Sequence, residues 1–385
     1  MISGIDYLLA RRLKLIKGRR VALLSHQAAL VKGGATSAQA LHRALGSSLK
    51  ALFGPEHGFS GQSAAGEKTL SSIHPDWKIP VYALYGERRA PDPEMLADID
   101  VVICDLQDIG VRCYTYLATM FNMYKCCRDA GVELIVTDRP IPLPAIVDGP
   151  MLQPAFESFV APCALPMVYG MTPGETIRWI SGRDSSLFQP QVITMQGWNR
   201  RDSLCFAADA GGFMSPSPGI KSVESACSYA ALVFCEALIA LDCGRGTNMA
   251  FRLFGAPWLE SEKLCSRLNR KKIAGVEFHP FHYVGNAGRW QGRELNGVRL
   301  CVHSPALFHP ATCSLHIIRE LGDCYGYSRI WGGKGTRQRW FDKLYGEEST
   351  RRELKEGRSV KLIVKRWQRE SQEFLAEREK VLLYK

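Results

Sequence analysis

Short apolar runs alternate with segments of helical periodicity along the first half of the chain. The runs at residues 21–25, 49–53 and 81–84 predict strands, and residues 37–45 predict a helix between the first two. The clearest strand lies in Asp100-Val101-Val102-Ile103-Cys104-Asp105-Leu106, where β-branched residues crowd together and a polar turn follows. A helix over 115–131 and a strand over 132–137 continue the alternation and end at Asp138-Arg139-Pro140. Strands apolar on both faces, alternating with helices, belong in a parallel sheet covered on both sides, so the expected class is α/β.

The pattern then loosens. Prolines at 140, 142, 144, 150, 154, 162, 166 and 173 predict long ordered loops rather than further βα units. A helix over 223–241 is apolar around most of its circumference and should be buried. Beyond Gly244, strands over 298–303 and 312–318 precede a basic helical tail over 359–381. The change of pattern puts a domain boundary near residue 230, giving units 1–230 and 231–385, with no internal repeat.

Composition narrows the class. At 385 residues, 46% hydrophobic and 23% charged, the chain has room for two ordinary globular cores. No apolar run is long enough to span a bilayer, so no membrane partner is expected. The first residues, Met1-Ile2-Ser3-Gly4-Ile5-Asp6, lack a basic and then apolar export segment. A cytoplasmic location is the expectation, or a periplasmic or secreted one if the natural chain begins earlier. Thirteen cysteines without a Cys-x-x-Cys pair fit reduced core residues better than a disulfide scaffold. The net charge of +11 is concentrated after residue 328, where 16 Lys and Arg stand against 9 Asp and Glu. Such a face could draw in an anionic polymer. The interleaved glutamates favour a solvated, salt-paired helical surface, and nucleic acid is not an expected partner.

Three strand ends carry the candidate chemistry. The second strand runs into Gly54-Pro55-Glu56-His57-Gly58-Phe59-Ser60-Gly61, a loop no helix would tolerate, with a carboxylate beside an imidazole. The strand at 101–105 runs into Gln107-Asp108, followed by Arg112, Tyr114 and Tyr116. The next ends at Asp138-Arg139. Carboxyl ends of neighbouring parallel strands share one crevice. Carboxylates in unlike environments there suit hydrolysis of a glycosidic bond, and tyrosines offer flat faces to sugar rings. Each residue alone is also served by an ordinary turn or cap role. Dinucleotide and P-loop glycine motifs are absent, as is a Gly-x-Ser-x-Gly elbow. Gly244-Arg245-Gly246-Thr247 reads as a turn, and His279-Pro280-Phe281-His282 lacks an acidic ligand at metal spacing. Neither a metal nor a redox cofactor is expected.

A set of motifs in a fixed order goes further. Gly54-Pro55-Glu56-His57-Gly58-Phe59, Pro80-Val81-Tyr82-Ala83-Leu84-Tyr85-Gly86, Asp105-Leu106-Gln107-Asp108-Ile109-Gly110-Val111-Arg112 with Tyr114-Thr115-Tyr116, and Asp138-Arg139-Pro140 resemble the bacterial exo-β-N-acetylmuramidase family. So do Gly170-Met171-Thr172 with Gly174-Glu175, Pro216-Ser217-Pro218, Gly244-Arg245-Gly246-Thr247 and Phe254-Gly255-Ala256-Pro257-Trp258; the C-terminal segment matches more loosely. The resemblance implies a Rossmann-like N-terminal domain with a smaller α+β C-terminal domain and a cleft between them. It implies release of N-acetylmuramic acid from the non-reducing ends of peptidoglycan fragments or muropeptides. The family's catalytic glutamate falls on Glu56, with Asp108 or Asp138 as the second acid, unless the sugar's own 2-acetamido group serves. His57, Arg112, Tyr114, Tyr116, Arg139, Glu236 and Arg245 become the expected substrate contacts. Three positions depart from the family pattern: Ile141 follows Asp-Arg-Pro, Ala237-Leu238-Ile239 follows Glu236, and Arg252 precedes Phe254. Ile141 and Arg252 motivate the alternative, a muropeptide-binding paralogue without activity.

Overall fold

A computed structural model of the chain describes residues 1–61, 63, 66–67, 70–201, 213–333 and 335–385. Its frame is a seven-stranded sheet of β1 (Val21–Ser25), β2 (Leu49–Gly54), β3 (Ser72–Ile73), β4 (Pro80–Ala83), β5 (Val101–Asp105), β6 (Glu133–Thr137) and β9 (Gln191–Ile193). Two short strands, β7 (Asp148–Met151) and β8 (Pro166–Val168), pair apart from it. The sheet order is β3-β4-β2-β1-β5-β6-β9, with every pairing parallel except β3 on β4. The chain thus winds outward from β1 to β4, returns to β5 beside β1, and winds outward again. The crevice expected at such a reversal lies beyond the carboxyl ends of β1 and β5.

Strand alternation divides the core. Val21, Leu23, Val101, Ile103 and Ile135 pack with Ile5, Leu8 and Leu41 on one face. Ala22, Leu24, Phe53, Val102, Cys104 and Val136 face the other side, whose core continues without a break into Phe254, Phe278, Leu315 and Trp367. Each such fully buried aliphatic or aromatic side chain contributes roughly 1.5–3 kcal/mol relative to exposure. The C-terminal part carries an antiparallel sheet of β10 (Leu253–Ala256), β11 (Val276–Val284) and β12 (Glu294–Val302), in the order β10-β12-β11. Helices enclose it.

Several expected elements differ. Residues 312–318 are not a strand but part of the helix Pro310–Tyr325, with Pro310 in its first turn. Between fully buried neighbours the less buried positions are Thr312, His316 and Arg319, which recur at helical spacing and not at a strand's alternation. The helix expected over 223–241 ends at Leu232 and tightens into a 3₁₀ turn, Val233–Glu236. The tail is two helices, Val360–Glu370 and Gln372–Val381, parted at Ser371. The proline-rich stretch hides a helix, Pro173–Gly182, announced by a reciprocal cap between Thr172 and Glu175. The basic tail is laced with ion pairs: Arg366 spans Glu347, Glu353 and Glu370, and Arg351 grips Asp342 with two 2.8 Å bonds. Among the described residues, no helix is long and apolar enough to cross a membrane.

Asp138 belongs to this framework. Its carboxylate accepts from Gly174 N (2.8 Å), Thr172 Oγ1 (2.7 Å), Arg139 N (3.0 Å) and the Tyr384 hydroxyl (2.6 Å), near the chain's end. Burial, and then the nearby Glu175 charge, pushes its pKa up to about 7. A carboxyl whose folded pKa exceeds its unfolded one favours folding at low pH, and that contribution is lost as pH rises from about 4 through 7. Tyr384 holds the ionised form, so Tyr384→Phe should cost about 1–2 kcal/mol and cost more at pH 8 than at pH 5. Urea unfolding at the two pH values checks this; equal costs would refute it.

Candidate active site

The loop after β2 is shaped by close approach. A Cβ on Gly54 would stand 2.4 Å from Phe59 N, so the chain can fold back there only without a side chain. Gly58 N donates to Pro55 O (2.9 Å), and His57 holds a left-handed backbone at φ +73°. The His57 Nδ1 lies 2.9 Å from Ser63 O. A carbonyl only accepts, so Nδ1 carries the hydrogen and the neutral ring's Nε2 is its acceptor. Gly54→Ala must displace this loop, and a shift near 1 Å lowers turnover by about 10²-fold. Steady-state kinetics on a folded variant would show it.

Glu56, only 7% exposed, is the carboxylate this loop presents. Oε1 accepts from Gly66 N at 3.0 Å and Oε2 from Thr115 Oγ1 at 2.7 Å. The Tyr85 phenol lies beside this carboxylate: burial, followed by the influence of Glu56, pushes its pKa up to about 12, so it stays a phenol. The Thr115 hydroxyl can turn to accept as well as donate. The same cage therefore accommodates both the acid and the carboxylate.

Glu56 and His57 open into a cavity of about 460 Å³. Tyr85, Tyr114 and Thr115 complete its N-terminal wall, and Ser217 contributes from the Pro216-Ser217-Pro218 turn. Tyr229 and Phe251 meet edge to face at 4.8 Å among its lining rings. Phe251 is the second non-glycine lining residue with a left-handed backbone, at φ +58°. Such strain costs of order 1–3 kcal/mol and is typical of functional sites. The C-terminal part of the chain supplies Glu236, Asp242, Arg245, Arg289, Trp290, Arg337 and Trp340 to the lining. Arg245 pairs with Glu236 and lies 5.1 Å above the Phe251 ring. Asp242 accepts from the Tyr283 hydroxyl (2.9 Å) and Gly244 N (2.6 Å). The Gly244–Thr247 segment is indeed a turn, closed by Thr247 N on Gly244 O at 3.0 Å, and it displays Arg245 into the cavity.

Of the expected contacts, Glu56, His57, Tyr114, Glu236 and Arg245 line this cavity. Asp108, Asp138, Arg112, Tyr116 and Arg139 do not. Asp108 turns back on its own loop, accepting from Ile109 N (2.5 Å) and Gly110 N (2.9 Å), and burial pushes its pKa up to about 6. Arg139 is locked on Asp105 by bonds of 2.7 and 2.8 Å. Arg112 is wholly buried and donates to Pro150 O, Leu165 O, Leu344 O and Tyr345 O. The Tyr116 hydroxyl donates to Pro216 O at 2.5 Å. These groups hold the crevice in shape from behind. Thr115 and Tyr85, inside quoted motifs, were not expected as contacts; Arg289, Trp290, Arg337 and Trp340 lie in no motif.

Two departures from the family pattern also fall outside the cavity lining. Ile141 is 1% exposed, its Cδ1 filling the space 2.8 Å from where a Cβ on Gly110 would stand. Arg252 is half-buried, its carbonyl accepting from Leu300 N. His279 and His282 are exposed on β11, and among the described residues no group of three His, Cys, Asp or Glu could hold a metal.

Comparison with known proteins agrees with this layout. Residues 21–224 match the model of the exo-β-N-acetylmuramidase NamZ N-terminal domain, and residues 227–384 that of its C-terminal domain. The peptidoglycan β-N-acetylmuramidase NamZ of Bacillus subtilis (strain 168) is 33% identical over 99% of this chain and 91% of that protein. A DUF1343 family crystal structure from Bacteroides fragilis superposes with a TM-score of 0.91 at 29% identity, covering 100% of this chain and 99% of that one. A second, at 23% identity and a TM-score of 0.77 over 100% and 99% of the two chains, shares the fold. With both domain models matched in order over nearly the whole chain, the chain belongs to the exo-β-N-acetylmuramidase NamZ family.

Proposed function

We infer that this chain is an exo-acting glycoside hydrolase that releases N-acetylmuramic acid from the non-reducing ends of peptidoglycan fragments. The observation that carries the reading is Glu56, caged by Gly66 N and Thr115 beside Tyr85 at the edge of a cavity large enough for a sugar ring. In this reading Glu56 hands its proton to the leaving glycosidic oxygen. The cavity's other carboxylates are engaged, Glu236 by Arg245 and Asp242 by Tyr283 and Gly244 N. The group that assists at the anomeric carbon is therefore one of these two or the sugar's own 2-acetamido oxygen, and Asp108 and Asp138 leave the list.

The binder without activity loses the motive that Ile141 and Arg252 gave it, since both lie outside the cavity lining; of the third departure, Ile239 lines the cavity. Incubating the protein with a 4-nitrophenyl glycoside of N-acetylmuramic acid tests the reading. Steady release of 4-nitrophenolate supports it. Tight binding of N-acetylmuramic acid with no release would favour the binder instead.

A further inference from the structure

The C-terminal wall of the cavity carries two cations with no carboxylate of their own. Arg245, the third arginine there, is already neutralised by Glu236. Arg289 lies 4.8 Å above the Trp290 ring, and Arg337 lies 5.8 Å from the centroid of Trp340. Neither meets an acidic side chain among the described residues, although both line the cavity that holds Glu56. Guanidinium planes backed by indoles are held for a planar anion rather than for a hydroxyl.

Their supports are built in. Arg337 Nη2 donates to Glu236 O at 2.7 Å, which fixes this arginine against the Glu236–Arg245 pair. Arg289 sits in the 3₁₀ turn Gly288–Trp290 at the tip of the β11–β12 hairpin. That tip closes on itself through Gly285 N to Arg293 O (2.9 Å) and Gly292 N to Gly285 O (2.8 Å). It also docks on the Arg245 turn, where Asn286 Nδ2 donates to Gly246 O at 2.6 Å. Two separate stretches of chain therefore each deliver an arginine–tryptophan pair to the lining of the cavity that holds Glu56. The buried arginines behind the crevice, Arg112 and Arg139, are engaged on carbonyls and on Asp105 and do not line the cavity.

We propose that Arg289 and Arg337 form a carboxylate subsite that selects sugars bearing an acidic substituent over those without one. The proposal rests on the hydrolase reading above. The carboxylate has two possible sources: the lactyl ether of N-acetylmuramic acid itself, or a stem peptide attached to that ether. Either meets the fork of a guanidinium through charge-assisted bonds, and a neutral 3-hydroxyl sugar leaves both cations unpaired.

The test compares wild type, Arg289→Gln, Arg337→Gln, Arg337→Lys and the exposed surface control Arg43→Gln on three 4-nitrophenyl glycosides. They carry N-acetylglucosamine, N-acetylmuramic acid, and N-acetylmuramic acid amide-linked to L-alanine. Each Gln variant should raise KM on a carboxylate-bearing glycoside about 10- to 100-fold. It should leave kcat within a few-fold and the N-acetylglucosamine glycoside unchanged, with Lys restoring part of the loss. Damage on the N-acetylmuramic acid glycoside points to the lactyl group; damage confined to the alanyl derivative points to a peptide carboxylate. Equal damage on the neutral glycoside, or an unchanged preference, overturns the proposal. If wild type cleaves none of the three, calorimetry with free N-acetylmuramic acid and N-acetylglucosamine decides separately. Preference for the acidic sugar, lost in the Gln variants, keeps the subsite while the hydrolase reading fails; no preference removes the subsite.

Discussion

Glu56→Gln should lower kcat on an N-acetylmuramic acid glycoside by about 10²- to 10⁴-fold, the range of a general acid or base, with little change in KM. The amide keeps the shape of the carboxyl: its oxygen can still accept from Gly66 N while its NH2 donates to the Thr115 hydroxyl oxygen. As an acid or base the amide has no proton to give and none to take. Thermal unfolding of the variant should stay close to wild type, because among the described residues no ion pair of Glu56 is broken. A leaving group that needs no protonation, such as 2,4-dinitrophenolate, should recover much of the loss. Equal activity of the two proteins would make the loop a structural turn. A large loss of stability would mean that the cage of Glu56 serves folding.

The second large effect is on stability. Arg112→Met should destabilise the protein by about 3–5 kcal/mol, enough to lower soluble yield sharply. Its guanidinium is wholly buried, and burial brings its pKa down to about 10, still charged at neutral pH. It bonds Leu165 O and Tyr345 O at 2.5 Å each, Pro150 O at 3.0 Å and Leu344 O at 3.4 Å. These carbonyls come from β7, from the segment before β8 and from the end of the helix Gln338–Tyr345. The side chain is thus a strut between the sheet domain and the C-terminal part, and its loss leaves four carbonyls without that donor. The chain even makes room for it: a Cβ on Gly346 would stand 2.4 Å from Arg112 Nη2. Protein that does fold should keep its KM, which separates a strut from a substrate contact. Chemical denaturation with parallel kinetics checks both halves.

Arg112 also shows where the sequence stops being legible. Strands apolar on both faces announced β1, β2, β5 and β6, because no other environment tolerates such runs. Glu56 was legible because Gly54, Pro55 and Gly58 force a loop at a strand's carboxyl end. Whether a polar residue just past a strand turns into the crevice or back beneath it was not legible. That depends on partners far along the chain, such as Asp105 for Arg139 and Tyr384 for Asp138. Thr172 and Glu175, quoted as a motif, proved to be a helix cap whose signature is local and readable. The C-terminal part of the lining was not readable at all, since a hairpin tip and a helix start bring Arg289 and Arg337 together only in three dimensions. Residues 312–318 differ for another reason: a short apolar run does not by itself separate a strand from a buried helix, and here burial follows the helix.

The most direct test of the account uses two disaccharides and mass spectrometry of the products. N-acetylmuramic acid linked β-1,4 to N-acetylglucosamine should be split into its two sugars, while the reverse disaccharide, with N-acetylglucosamine at the non-reducing end, should remain whole. Cleavage of both at similar rates, or of the reverse disaccharide alone, would contradict an exo-acting muramidase.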